Sequence, residues 1–454
     1  EFNNITITGP GGPNVLEDVN ADTVILNPGN HLEIDGTLQV NNYFEIDGNC
    51  SEISLLSGGT ISSSSADIIV NYTSIENNTA SGSANFIANF SSDVVGNSGW
   101  EINSSVSRDY YWVNDQGNWS DGNHWALSSG GTPSGCIPGP NDNVFFDSSS
   151  FTINGQFVKI IDYAAQCNSM DWTGVTNNPD FEIDDLLFLQ GSLTFSENMT
   201  VSASDAVHFK SNNIGNTITF ANNNINADVF FEGSGGEWNL QDSITIGTSI
   251  TKGITISDGT LNTNGYPIRT GGFDVSNDAT VNLSSSHLYL YWGFNAFNTT
   301  NFNADNSTIH IRSYSGSYSI NTFNNPIHNV IVESQYNTLI KGTGEFNNIT
   351  ITGPGGPNVL EGISVNNLVV EPGNNLEISG NVYIKKYFEM NGTSTQPTYC
   401  EGSSSNDSLI VDYGNLCFEY IRVSSVNASG GATFNAGVGS IDNGNNSGWN
   451  FDII

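Results

Sequence analysis

The sequence predicts an all-β chain: a right-handed parallel β-helix, or β-solenoid, assembled from tandem repeats of about 340 residues. Three observations carry this expectation. One long phrase occurs twice, letter for letter, beginning at Glu1 and at Glu345. Short runs that alternate apolar with polar residues recur between Gly, Asn and Asp turns. Charged residues make up only 12% of the chain, about half of the usual ~25%, while Asn, Ser, Thr and Gly abound.

The repeat sets the organisation. Residues 1–17 read EFNNITITGPGGPNVLE, and residues 345–361 match them at an offset of 344. The likeness then weakens but keeps its offset. Asn27-Pro28-Gly29-Asn30 answers Glu371-Pro372-Gly373-Asn374, and Tyr43-Phe44-Glu45 answers Tyr387-Phe388-Glu389. Both copies close on Asn-Ser-Gly-Trp, at Asn97–Trp100 and Asn446–Trp449, where the offset has grown to 349 through a net insertion. Residues 1–103 are therefore expected to be the C-terminal part of one repeat, 104–108 a junction, and 109–454 a whole repeat. The whole repeat divides into a Trp-rich cap with the first strands (109–180), solenoid coils (181–395) and closing coils (396–454). A window cut from a longer tandem array is the expected origin, with a single internal duplication as the alternative.

The strand runs Ser192–Phe195, Thr217–Phe220, Trp238–Leu240, Ile254–Ile256, Val281–Leu283 and Thr308–Ile311 succeed one another at long, similar intervals. A β-sandwich would show strands every ~8–12 residues. The longer interval suits a solenoid coil of two or three short strands, at roughly 25 residues per coil. No amphipathic helix of useful length is visible. Asn tolerates the left-handed backbone of coil corners and can stack in ladders from coil to coil. Low charge follows from the same stacking, because like side chains one rung apart repel when charged. At ~4.8 Å per rung, one repeat would make about 14 rungs, on the order of 65 Å.

The most distinctive stretch, residues 110–147, reads YYWVNDQGNWSDGNHWALSSGGTPSGCIPGPNDNVFFD. The first rung of a solenoid leaves its core open. Trp112, Trp119 and Trp125 are expected to cover it, with Asp121 and Asp142 fixing turns. This stretch resembles the recurring unit of giant repetitive surface adhesins of gliding bacteria, exported by the type IX secretion route. Met170–Gly174, Val426–Ala432 and Ser440–Trp449 resemble the same group. The resemblance covers 109–454, and 1–103 by repetition. It implies an extracellular, cell-surface adhesin or filament and gliding motility, and it supplies no catalytic residues.

Five cysteines are present. Local spacing predicts two disulfides, Cys136–Cys167 and Cys400–Cys417, in an oxidising setting. Cys50 is read as the counterpart of Cys400 and as a free thiol, since Ile69 answers Cys417. The alternative is five reduced, buried cysteines.

Catalytic signals are sparse. His31, His124, His208, His287, His310 and His328 show no HExxH and no paired metal spacing, and no GxSxG or P-loop occurs. Asp184 and Asp185 would point to opposite faces of a strand and form no dyad. Asp115, Asp121, Asp142 and Asp147 are weak candidates for calcium, the one cofactor considered; non-specific screening of the acidic chain is the alternative. Tyr289, Tyr291 and Trp292 are candidates for stacking on a glycan. Thr23, Ser243 and Ser408 follow Asp and precede an apolar residue, triplets that resemble O-glycosylation sites of these bacteria.

Composition excludes several partners. A pI of about 4.1 and a net charge of −36 offer no cationic surface for nucleic acid or anionic lipid. No run approaches ~18 apolar residues, so no membrane insertion is expected, and Glu1–Asn4 shows no signal peptide. The expected function is a non-catalytic stalk within a long extracellular adhesin. Its partners would be neighbouring repeats and surface glycans or other cell-surface components. The alternative is a polysaccharide-binding or polysaccharide-cleaving β-helix.

Overall fold

The computed structural model describes residues 1–9, 13–104, 106–161, 164–247, 252–297, 301–313 and 318–451. They fall into two compact units, Glu1–Asp242 and Ser243–Ile454. The expected 104–108 junction thus lies inside the first unit, with residue 105 outside the described set. Among the described residues the only helical element is a 3₁₀ turn, Gly122–His124. The rest is strand and turn, stacked as the parallel coils of a β-solenoid except where Trp125–Ala126 pairs antiparallel with Asp109–Trp112.

In the first unit, residues 109–242 form a three-sided coil. One ladder runs through Asp109–Trp112, Asn143–Phe145, Met170–Asp171, Leu193–Thr194, Asn216–Thr219 and Glu237–Leu240. A second joins Ala165–Cys167, Leu187–Leu189, Val207–Phe209 and Val229–Phe231. A third joins Gly117–Asn118, Phe157–Ile160, Asp180–Ile183 and Thr200–Ala203. Along the first ladder Val144, Met170, Leu193, Ile218 and Leu240 follow one another one rung apart. Their numbers give a coil close to the expected length. Through the middle of the second unit the coil is tighter. Leu288, Ile309, Val330, Ile349, Leu368 and Phe388 stack in turn, and each coil there is several positions shorter. The expected coil length therefore describes the earlier part, where wider corners carry the Trp-rich turns, and again the closing coils, where Leu376, Cys400 and Val423 stack in turn.

Alternation explains each rung. In Ile244–Ile246 and Val229–Phe231 the outer residues of the triplet are buried and the middle one is half-buried. The buried residues stack on their own kind. Phe209 lies on Phe231 at 5.0 Å and 9°, and Phe273 faces Phe294 at 6.2 Å and 8°. Asn does two jobs. Among the described residues it supplies nearly half of the non-glycine positions with positive φ, including Asn114, Asn222, Asn264 and Asn306, so corners use its tolerance of that backbone. Asn also ladders between coils. Asn329 donates to Thr308 (3.3 Å), Asn348 to Asn329 (2.6 Å) and Asn367 to Asn348 (2.7 Å). One amide per rung satisfies its neighbour without adding charge.

The described parts of the repeated phrase enter the same ladder register in both copies. Ile5 sits beside Val24 and Ile349 beside Leu368, with both partners displaced by 344. Phe346 is covered by the rung of Ile327 and is 0% exposed. Phe346→Ala is expected to destabilise its unit by about 3–5 kcal/mol. Chemical denaturation, with hydrogen exchange to assign the unit that opens, checks this.

Candidate functional site

Residues 1–104 do not stack on the end of the coil that follows. They lie along its side and touch it at several rungs. Asn141 Nδ2 donates to Ser92 Oγ at 3.2 Å, Ser74 Oγ donates to Gln166 Oε1 at 2.8 Å, and Lys210 Nζ donates to Glu76 Oε1 at 2.5 Å. Ser74 and Ser92 stand in register on adjacent strands, and their small side chains let the two flat faces approach.

The clasp has a charged centre and a covalent edge. Lys210 is 5% exposed. It pairs with Glu76, lies 3.8 Å from Glu232 and sits 4.3 Å above the Phe188 ring. Burial raises the pKa of Glu232, but His208 and Lys210 outweigh it and hold the carboxyl below its ordinary value. His31, bonded to Ser57 Oγ at 2.7 Å, is lowered to about 4 by burial and by the charge of Lys210. At the edge, Cys50 forms a disulfide with Cys136, and Ile137 N–H donates to the Cys50 carbonyl at 2.8 Å.

This bond corrects the expected pairings. Cys136 is bound to Cys50, which is therefore not a free thiol, while Cys167, Cys400 and Cys417 are unbonded. Alternation is the reason. Cys167 and Cys400 point into the core, and Cys417 points outward from Asn415–Phe418. Burial pushes the Cys400 thiol up to about 12 and the Cys167 thiol up as well. The register also corrects the expected counterparts. Leu32 pairs with Leu56, and Leu376 pairs with Cys400. Cys400 thus answers Leu56, and at the same offset of 344 Cys50 answers Ser394.

The Trp-rich stretch packs on the first rung. Trp125 touches Trp112 and Trp119 at 4.9 and 4.8 Å between ring centres and Phe146 at 5.8 Å, and Phe146 stacks on Trp172 at 3.6 Å. All three cap Trp are buried. The nearby acids are each engaged by turn N–H groups. Asp115 accepts from Thr152 N–H at 2.6 Å, Asp121 from Asn123 N–H at 2.9 Å, Asp142 from Gly139 and Arg108 N–H at 2.8 and 2.9 Å, and Asp147 from Ser149 N–H at 2.8 Å. The Thr152 amide holds Asp115 below its usual range, while burial raises Asp142. The structure does not bring the four calcium candidates together, and no group of three or more metal-binding side chains occurs among the described residues.

On the second unit, His287–Ala296 turns Leu288 and Leu290 inward and Tyr289 and Tyr291 outward. Tyr289 is not open for sugar stacking. Arg269 and Arg312 lie 4.0 and 4.4 Å from its ring centre, and His310 stacks on it at 4.5 Å. Arg312 Nε donates to Glu333 at 2.5 Å, His310 Nδ1 lies 3.4 Å from the same carboxylate, and His310 Nε2 shares a hydrogen bond with His287 Nδ1 at 2.9 Å. Trp292 is 40% exposed. The expected glycosylation residues Thr23, Ser243 and Ser408 are all half-buried. Asp242 and Asp407 of those triplets accept backbone N–H bonds, from Phe220 and from Gly380.

Sequence reasoning missed Lys210, Glu76 and the arginine–histidine cluster. A signal existed. With only ten Lys and Arg in the chain, a cation alternating with His inside a strand run, as in His208–Lys210 and His310–Arg312, marks an outward face with a partner. No helix among the described residues is long and apolar enough to cross a membrane. No protein-family model, curated protein or solved structure matches the chain.

Two outcomes follow. Under native, non-reducing conditions an alkylating reagent should label Cys417 alone; Cys167 and Cys400 should react only after denaturation, and Cys50 and Cys136 only after reduction. Peptide mass mapping reads this directly. His31 supplies a pH term. Its folded pKa lies below the ordinary 6.5, so the folded state binds fewer protons and its stability is full above pH 6.5. That stability is lost as pH falls toward about 4, by at most about 3 kcal/mol. The difference in melting temperature between the native chain and His31→Gln should grow across this window and stay flat above it.

Proposed function

We propose that the chain is a non-catalytic structural segment of a long, repetitive extracellular adhesin or surface filament. In this reading the coil is right-handed, the repeat has the length set by the offset of the recurring phrase, and export follows the type IX route of gliding bacteria. The clasp carries the proposal. The tail of one copy is fastened to the head of the next segment by a disulfide, side-chain hydrogen bonds and a nearly buried ion pair. A chain that transmits force needs its joints secured. Here the covalent link runs from Cys50 to Cys136, a sequence separation of 86 that encloses the join. Tension between neighbouring segments would pass through the disulfide rather than through the short connection near residue 106.

The repetition and the surface support the same reading. The same phrase enters the same ladder register in both units. Asn ladders supply rung-to-rung cohesion without charge. The resemblance of residues 110–147 to adhesin repeat units adds the extracellular setting, in which a disulfide persists.

Negative-stain imaging of the native full-length protein, with intact mass, tests this. Elongated particles with regularly spaced joints and a mass of several repeats are expected, and reduction should loosen the joints. A compact particle near 48.6 kDa would sink the proposal.

A further inference from the structure

We propose that the outer face around Arg269, Tyr289 and Trp292 binds an acidic saccharide, recognising the carboxylate of a uronic acid residue within a polysaccharide. This goes beyond the stalk reading and does not depend on it.

The placement of cations makes the argument. The chain holds four arginines, and two of them, Arg269 and Arg312, meet over one tyrosine ring. Arg269, Tyr289 and His310 occupy successive rungs in register. Their roles differ. The charge of Arg312 is matched by Glu333. Arg269 has no carboxylate partner among the described residues, in a chain where acids outnumber bases 46 to 10. Its guanidinium is held against the Tyr289 ring, 4.0 Å from the ring centre. A guanidinium fork binds a carboxylate through two parallel hydrogen bonds, and prior ordering on an aromatic face lowers the entropy lost on binding.

The second element is Trp292. Its indole is spread over Gly271 and Gly272. A Cβ at either glycine would come within 2.4 Å of the ring, so only glycine permits this seat. One indole face is thus fixed on backbone while the side chain keeps 40% exposure, leaving surface for the C–H face of a sugar. A fixed anion fork beside an open indole suits a charged sugar better than a free anion, which has no use for the ring. Net charge sets the range over which this works. At −36 the chain repels polyanions at long range, so contact must be local. At ~0.15 M salt, where fields decay over about 8 Å, the cluster is felt before the bulk charge.

Calorimetric titration of the full chain at that salt, with tetragalacturonate as probe, decides. Binding is expected, with cellotetraose at least tenfold weaker. Arg269→Gln should weaken tetragalacturonate binding at least tenfold, Arg269→Lys by an intermediate amount, and Trp292→Ala severalfold, all with an unchanged circular dichroism spectrum. Arg269→Lys keeps the charge and the fold if Arg269→Gln misfolds. Equal affinity for the neutral tetramer, equal affinity for acetate, no effect at Arg269, or no saccharide binding at all would each overturn the proposal. None of these outcomes would alter what imaging says about the stalk.

Discussion

Parallel, in-register stacking is the constraint on which the rest depends. Each side chain sits directly over its counterpart one rung away, so every choice of residue is made against a near copy of itself. Apolar positions profit, as in the Phe209–Phe231 stack. Amides profit too, because Asn both donates and accepts and can pass one hydrogen bond per rung, as Asn348 does between Asn329 and Asn367. Charges do not, unless the sign alternates between rungs. That condition is met where Lys159 faces Glu182 in register at 3.1 Å. The low charge of the chain fits this topology, and the acids that do stack in register, Glu17 on Asp35, Asp258 on Asp278 and Glu377 on Glu401, lie outside the core.

Much of this was legible in the sequence. Period-two alternation, turn residues at coil intervals and an exact internal repeat are local signals, and each survives in the structure as strand, corner and ladder. The Trp cluster was legible because three large apolar residues in one turn-rich stretch have few other uses. Register was not. Cys50 and Cys400 both follow a Tyr-Phe-Glu phrase, yet the first sits in a half-buried turn soon after it and the second lies farther on, facing the core beneath Leu376. The offset of 344 separates the two cysteines, setting Cys400 against Leu56 and Cys50 against Ser394, whereas their place after a shared phrase pairs them wrongly. The disulfide was invisible for a stronger reason. Its partners meet only because one segment lies back along another, and nothing local to either cysteine encodes that contact.

The acids near the cap show a second limit. Asp115, Asp121, Asp142 and Asp147 read as hard oxygen ligands, but corners of a solenoid expose backbone N–H groups that need acceptors. A carboxylate beside such a corner is claimed by the nearest amide, as Asp115 is by Thr152. The same competition takes up Asp242 and Asp407. Carboxylate identity in a turn-rich chain therefore says more about corners than about metals.

The two copies also show where individuality resides. Their cores align, yet the outward positions used by the clasp do not. Ladder register places Tyr399 where Leu55 stands, Arg422 where Ser74 stands, and Ser424 where Glu76 stands; Ser394 replaces Cys50 at the offset of 344. The small hydroxyl that lets the first copy lie flat is replaced by a long cation. A second copy so changed cannot receive the same neighbour in the same way. Repeat proteins risk docking the wrong segments together, because similar surfaces compete. Varying only the outward residues removes that competition at no cost to the core, since alternation separates the two sets along every strand. The fold can then be repeated while each junction keeps its own chemistry, and an outer face that no segment covers is free to acquire a different use.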